Sequence, residues 1–263
     1  MRGPGDQATS ASAIIERVAR VRLDVLLVQR GLAETREWAQ ARILAGEVSV
    51  DGQPATRPSQ RISPEASVTV HARGPGYVSR GALKLEAALD HWSIDPSDCI
   101  ALDVGASTGG FTDLLLQRGA RRVYAVDVGY GQLHYRLRTD PRVVVMERTN
   151  ARTLDSLPER PQLAVIDVAF ISLRLVLPAV FRVVDPVASI VALIKPQFEA
   201  GRDQVGKGGV VRDPLVRREV VNHVIEWSRD QPWQMVDVME SPIRGPAGNV
   251  EFLSLWLPAS GAA

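Results

Sequence analysis

Cysteine is nearly absent from the chain. Cys99 stands alone in 263 residues, so no intramolecular disulfide can form and no cysteine-rich metal site can be assembled. A reducing, cytoplasmic setting is the expectation. Long apolar runs are also missing: stretches such as Val187 to Ile194 have the length of a strand and fall far short of the roughly 20 residues of a membrane span. The first dozen residues are rich in Gly, Ser, Ala and Thr, lack the apolar run of a signal peptide, and read as a loose tail over 1–16.

Lysine is the third scarcity. Of 31 basic residues only Lys84, Lys195 and Lys207 are lysine. A sequence that writes almost every cation as arginine keeps lysine where guanidinium cannot substitute, because an ammonium can give up its proton and arginine effectively cannot. Those three positions mark candidate chemistry. The formal net charge of +1 says little about partners, but its distribution is uneven. From Arg17 to Arg80, ten arginines face six acidic residues, a surplus of four that suits contact with phosphate.

What is present points to two units. Leu23, Leu26 and Leu27 fall at helical spacing and are closed by Gly31, and Thr35 can cap a second helix that stops at Gly46. Val48 and Val50, the Asp51-Gly52 turn, and Val68 and Val70 read as a small hairpin. Arg36 and Arg42 lie on the second helix and Arg22 and Arg30 border the first, so solvated helix faces and an RNA-facing surface are both open readings. Arg22-Leu-Asp and Val48-Ser-Val-Asp-Gly52 resemble the S4 RNA-binding domain, which implies recognition of RNA shape and phosphate. The expected units are an S4-like α+β domain at 17–71, a linker at 72–78 around Gly74-Pro-Gly76, and a catalytic domain at 79–263.

Ile100 to Val104 is a strand-length apolar run that leads into Asp103-Val-Gly-Ala-Ser-Thr-Gly-Gly110, followed by helical periodicity from Phe111 to Gly119. Glycines at 105, 109 and 110 suggest close backbone approach to a ligand, and the helix start offers free amides. A second strand ends in Asp127, placed to take ribose hydroxyls. These parts alone also fit an NAD-binding domain. Asp103 at the loop entrance, a spacing other than G-x-G-x-x-G, and a third strand followed by Thr149-Asn150-Ala151 tilt the reading towards an S-adenosylmethionine site. Asp103, Gly105, Ala106, Ser107, Thr108, Gly109, Gly110, Phe111, Asp127, Val128, Asn150 and Ala151 are the candidate cofactor residues. Gly201 to Lys207 imitates a phosphate-binding P-loop, but Gly208 stands where Ser or Thr must hold magnesium. It reads instead as a mobile segment near the active site, with Lys207 a phosphate contact or simply solvated.

The target atom follows from what the later motifs omit. Asp167-Val-Ala-Phe170 lacks the prolines of base amine methyltransferases, and Cys99 stands on the wrong side of the first strand for attack on a pyrimidine carbon. A ribose hydroxyl remains; it needs help in shedding its proton while held in line with a methyl sulfonium. Lys195 at the end of Ser189–Ile194 and Asp167 at the end of its neighbour share the sheet edge where ligands bind. Lys84 and Glu251 complete a catalytic quartet. The four histidines are scattered, and no metal is needed.

Ser79-Arg-Gly-Ala-Leu-Lys84, Asp103 to Phe111, Asp127 to Leu133, Glu147 to Ala151, Phe170-Ile-Ser-Leu173, Lys195-Pro-Gln-Phe-Glu199 and Gly245 to Glu251 together resemble the TlyA family, known also as haemolysin A, which is similar to the FtsJ-type 2′-O-methyltransferases. The resemblance spans Arg22 to Leu257. It implies an α/β, Rossmann-like class I methyltransferase with a mostly parallel seven-stranded sheet behind the small S4-like domain. It further implies S-adenosylmethionine as cofactor, and cytidine 2′-O-methylation of ribosomal RNA in the large and, in some members, the small subunit. Sensitivity to capreomycin-type antibiotics follows from that activity. Lys84, Asp167, Lys195 and Glu251 fall on the family's tetrad, while Arg22, Arg30, Arg36, Arg42 and Arg80 are the candidate RNA contacts. Pro75 and Tyr77 stand where some members carry an Arg and a Trp. The family's haemolysin label suggests membrane lysis as a rival, for which the sequence offers no lytic segment; a non-catalytic assembly factor is the other.

Overall fold

The computed structural model describes residues 20–44, 46–70 and 77–259. The expected tail and most of the expected linker lie outside the described residues.

In the N-terminal unit, strand β1 (Val21–Arg22) leads directly into helix α1 (Leu23–Gln29), and helix α2 (Arg36–Leu44) follows. Thr35 Oγ1 accepts from the Trp38 amide at 3.1 Å, so the expected cap is made. Instead of a single hairpin, β2 (Val48–Val50) pairs with both β3 (Gln53–Pro54) and β5 (Val68–Val70), and β4 (Arg61–Ile62) pairs back with β1. Leu23, Leu27, Ile43, Val48 and Ile62 close a small core.

Beneath that core sits a polar hub. The Asp24 carboxylate is fully buried and accepts from Arg22 Nε at 3.0 Å and Nη2 at 2.9 Å, Arg36 Nε at 2.9 Å and Gln40 Nε2 at 2.8 Å. The Arg22 hydrogen bond leads in holding this acid well below the usual carboxylate range, against the opposing effect of burial.

The larger unit is a seven-stranded sheet in the order β11-β12-β10-β9-β6-β7-β8. Its strands are β6 (Ile100–Val104), β7 (Arg122–Val126), β8 (Val143–Met146), β9 (Leu163–Ile166), β10 (Ser189–Ile194), β11 (Trp233–Glu240) and β12 (Phe252–Pro258). Only β12 runs against its neighbours. Near-continuous apolar runs mark most of these strands because helices cover both faces of the sheet, whereas β11 at its edge carries Gln234, Asp237 and Glu240 and is partly open. Ile100, Leu102, Ile166, Ile190 and Ile194 project towards α6 (Leu173–Val183) and α8 (Pro214–Ser228). Ala101, Val123, Val165 and Leu193 project towards α3 (Ala82–His91) and α4 (Gly110–Gln117). Short helices α5 (Tyr135–Arg138) and α7 (Pro196–Glu199) follow β7 and β10.

β6 pairs with β7 on one side and β9 on the other, so the winding of the sheet reverses there and a crevice opens at the carboxyl ends of these strands. Tyr77 and Val78, the last residues assigned to the linker, are buried in the core beneath α3, and the Tyr77 hydroxyl donates to Glu86. Burial and that carboxylate push the phenol up to about 12.

The Asp24 hub sets a test of the small unit. Because its folded pKa is depressed, Asp24 contributes stability above the unfolded value near 4 that fades as pH falls. Asp24→Asn is expected to lower stability by about 1.5–3 kcal/mol at pH 7, with the gap to wild type narrowing below about pH 4. Denaturant unfolding at pH 7 and pH 3 checks both.

Candidate active site

Apart from Lys84, which comes from α3, the parts of the site lie at or beside strand ends. β6 ends into Gly105, whose φ of 86° suits glycine, and a Cβ there would lie 2.5 Å from the Asp167 carbonyl oxygen. The turns after β6 and β9 are thus pressed together. Gly109 and Gly110 serve packing of another kind: a Cβ on Gly109 would strike Leu137 and Leu133, and one on Gly110 would strike Ser79 at the approach to α3. At these two glycines protein side chains come as close as a ligand was expected to. Phe111 is likewise buried in the core.

Asp103 and Asp127 differ sharply. Asp103 is fully buried; its Oδ2 accepts from Thr112 Oγ1 at 2.6 Å, while Oδ1 is buried with no partner among the described residues. Burial pushes this carboxyl up to about 7. Asp127 is half-buried and accepts from the Ser107 amide at 2.8 Å and the Gly129 amide at 2.7 Å. It braces the glycine turn against the end of β7 and retains lone pairs for further donors. Val128 is 71% exposed next to it. Asn150 is exposed and caps a single 3-10 turn at Ala151–Thr153 through the Arg152 amide. Ala106 and Ala151 are buried, and Ser107 and Thr108 lie at the surface of the turn.

An orphaned acidic oxygen at the switch point, a second carboxylate at the next strand end and the start of α4 together fit a ligand with a cationic group, a ribose and an anionic end. That is the donor set S-adenosylmethionine requires.

The structure brings Lys84, Asp167, Lys195 and Glu251 into one cluster. Lys84 Nζ lies 2.7 Å from Glu251 Oε2 and 3.7 Å from Asp167 Oδ2, and Lys195 Nζ lies 2.5 Å from Asp167 Oδ1. Two ammonium and two carboxylate groups balance formally. Lys84 and Glu251 are buried, whereas Asp167 and Lys195 keep 21% and 12% of their side-chain surface open. The chain of charges therefore runs from an interior end to an accessible one. Although burial works against both charges, Asp167 and Glu251 hold Lys84 above its ordinary value, and Lys195 and Lys84 hold Asp167 below its own. A Cβ on Gly245 would strike the Glu251 carboxylate, so this glycine makes room for the acid.

The candidate RNA arginines are not equivalent. Arg22 and Arg36 are 37% and 49% open, with guanidinium groups steered by Asp24. Arg30 is exposed but donates to the carbonyls of Ala66 and Pro64. Arg42, only 12% open, is committed to Glu47 at 2.7 Å and packs over Trp38. The Arg80 amide donates to the same Glu47 at 3.2 Å, which joins the two units just ahead of α3.

Sequence reasoning gave no separate role to Phe170. It is 90% exposed, has a φ of 64°, lies 5.1 Å from the Phe198 ring, and stands three residues beyond Asp167. Nothing in its local pattern distinguishes an exposed aromatic from a buried one. Among the described residues no helix is long and apolar enough to cross a membrane.

Strand order and the glycine turn define a Rossmann-like methyltransferase domain. A model of the FtsJ-like methyltransferase family matches residues 77–256, and an S4 domain model matches 21–68. Mycobacterium tuberculosis 16S/23S rRNA (cytidine-2′-O)-methyltransferase TlyA is 50% identical over 241 residues, covering 90% of this chain and 90% of its own. Hemolysin A of Brachyspira hyodysenteriae is 42% identical over 237 residues, covering 89% of this chain and 98% of its own. A solved structure from Streptococcus thermophilus, described as a hemolysin, superposes with a TM-score of 0.72 at 42% identity over 92% of this chain and 90% of that one. The chain belongs to the FtsJ-like methyltransferase family and, within it, to the TlyA proteins.

Two predictions follow from the carboxylates. Asp103 has a folded pKa raised from 3.8 to about 7, so the ligand-free protein loses stability as pH rises from about 4 through 7. Asp103→Asn is expected to remove that decline, leaving the variant more heat-stable than wild type at pH 8 but weaker in binding S-adenosylhomocysteine. Thermal scans across pH and calorimetric titration read the two effects. Gly245→Ala, by displacing the Glu251 carboxylate, is expected to reduce turnover at least about tenfold with the fold and cofactor affinity retained, measured as kcat beside circular dichroism.

Proposed function

We propose that this protein transfers a methyl group from S-adenosylmethionine to the 2′-hydroxyl of a cytidine in ribosomal RNA of the large subunit, with the small subunit as a second substrate. The observation that carries this reading is the charge chain Glu251–Lys84–Asp167–Lys195, which ends in a partly open amine at the carboxyl edge of the sheet. When bound, the cofactor supplies a methyl group on a sulfonium, activated towards an oxygen nucleophile. Asp103, the turn from Gly105 to Gly110, Asp127, Asn150 and Ala151 are the residues proposed to hold it.

Lys195 would hold the ribose 2′-hydroxyl beside the bound cofactor, either orienting it or taking its proton as general base. Asp167 fixes the amine of Lys195 in place. It is kept ionised by its two lysine neighbours, so it acts as a positioning charge and leaves the proton to Lys195. Lys84 restrains Asp167 from behind, and Glu251 neutralises Lys84 in the interior. Phe170 offers a face on which the base of the target nucleotide stacks. Arg22 and Arg36, fixed by Asp24, give the N-terminal unit two oriented cations for RNA phosphate.

The names and identities of the relatives support the cytidine and ribosomal assignments. The reading carries with it cytoplasmic action and a link to capreomycin- and viomycin-type sensitivity.

The decisive experiment incubates the protein with labelled cofactor and separated ribosomal subunits and maps the alkali-resistant linkage. Label on the ribose of a cytidine is expected; label on a base would overturn the assignment. Lys195→Ala is expected to lower kcat by about 10²–10⁴ while S-adenosylhomocysteine affinity is unchanged. Because Asp167 is shifted down and Lys84 up, both stay charged through neutrality, so neither should add an inflection to the rate between about pH 5 and 9.

A further inference from the structure

We infer that a second pocket, lined by Arg212, Arg217 and Arg244, holds a phosphodiester group of the RNA and so sets the substrate's position against the catalytic quartet. The inference rests on the RNA reading above. The cavity measures about 320 Å³, and Val210, Val250 and Gly248 contribute to its walls beside the three arginines. They come from three separate segments: Arg212 from the stretch before α8, Arg217 from the first turns of α8, and Arg244 from the loop between β11 and β12.

These arginines are set apart by sharing one concavity that holds no carboxylate. Arg22, Arg36, Arg42, Arg122, Arg136, Arg138 and Arg142 all reach carboxylates. Among the described residues, Arg212, Arg217 and Arg244 form no ion pair, and no acidic side chain lines the pocket. Their hydrogen bonds go to backbone carbonyls: Arg217 Nη2 donates to Arg212 at 3.2 Å, and Arg244 Nη1 to Gly248 at 3.3 Å. The Nε of Arg217 is buried and has no acceptor among the described residues. Three cations that share one concavity without counter-charge repel one another, and an anion with several oxygens relieves that repulsion. Guanidinium forks match a phosphate, and the valine walls suit the sugar beside it.

The placement ties the pocket to catalysis. Val250 immediately precedes Glu251. Asn249 is buried; its Oδ1 accepts from the Val211 amide at 3.0 Å, and its Nδ2 donates to the Gly209 carbonyl at 2.8 Å. One side chain thus fastens the two walls together at the root of the loop that carries Glu251. The segment that imitated a P-loop is a tight turn instead, closed by a bridge between Gly206 and Val210, with positive φ at Gly208 and Gly209. Its role in this assignment is to bring Arg212 to the pocket. Arg212 and Arg244 are exposed at the mouth, which leaves the site open to a polymer.

The test uses the full chain and purified ribosomal subunits. Arg212→Gln, Arg217→Gln and Arg244→Gln are compared with wild type for subunit binding over a series of KCl concentrations, for KM and kcat, and for S-adenosylhomocysteine binding. Each change is expected to weaken subunit binding about tenfold and to reduce the slope of log affinity against log salt by about one. KM should rise and kcat should fall with it as positioning is lost, while cofactor affinity stays near wild type. Arg244→Gln alters an exposed loop side chain and is the variant least able to disturb folding. Unchanged affinity and salt slope in Arg212→Gln and Arg244→Gln would overturn the pocket assignment alone. A loss of affinity with an unchanged slope would do the same, since it reports altered packing. Wild-type protein without salt-dependent subunit binding would overturn the RNA reading and this site with it.

Discussion

A buried ammonium group is the constraint around which the catalytic domain is arranged. Lys84 comes from α3, ahead of the first strand of the sheet, and is 7% exposed. An ion in that position costs several kcal/mol unless it is paired. Its two partners arrive from distant parts of the chain, Asp167 after β9 and Glu251 before β12. Seating Lys84 therefore fixes α3 against the sheet and the ends of two strands against each other, and Asp167 passes the alignment on to Lys195. The small residues nearby serve the same arrangement: Gly110 lets the approach to α3 come close to α4, Gly105 lets two turns touch, and Gly245 leaves space for a carboxylate.

The switch point contains two carboxylates with opposite electrostatic fates. Asp103 and Asp167 belong to neighbouring parallel strands, one in β6 and the other just beyond β9. Asp167 has two lysines beside it and is driven towards ionisation. Asp103 has a hydroxyl donor, no cation, and complete burial, and is driven towards protonation. Such divergence separates tasks within a small volume. One acid anchors charges that belong to the protein, and the other keeps an oxygen with no partner among the described residues.

Much of this architecture was legible in the sequence. Six of the seven strands read as apolar runs, while β11, with Gln234, Asp237 and Glu240 and a half-open face, did not. The scarcity of lysine drew attention to Lys84 and Lys195 before any geometry was known. Strand ends located Asp167 and Glu251, since side chains at the carboxyl edge of a parallel sheet converge on one crevice. Other features had no such signal. Gly109 and Gly110 looked like ligand-facing glycines, yet they accommodate leucines and a serine, because a glycine pattern records close approach without saying what approaches. Arg42 resembled Arg22 and Arg36 on paper, and although all three reach carboxylates, only burial separates it from them, at 12% open against 37% and 49%. The pocket arginines are scattered among many others, and their lack of counter-ions is a property of three dimensions alone. Asn249 gave no hint of its two backbone partners.

Glu251 pairs with a lysine 167 positions earlier, from the segment that introduces the last strand described here. During synthesis the glycine turn and Asp127 emerge long before that acid does. Lys84 therefore gains its principal counter-charge from the member of the cluster that comes last in the sequence, and the cluster is complete only when β12 lies between β10 and β11.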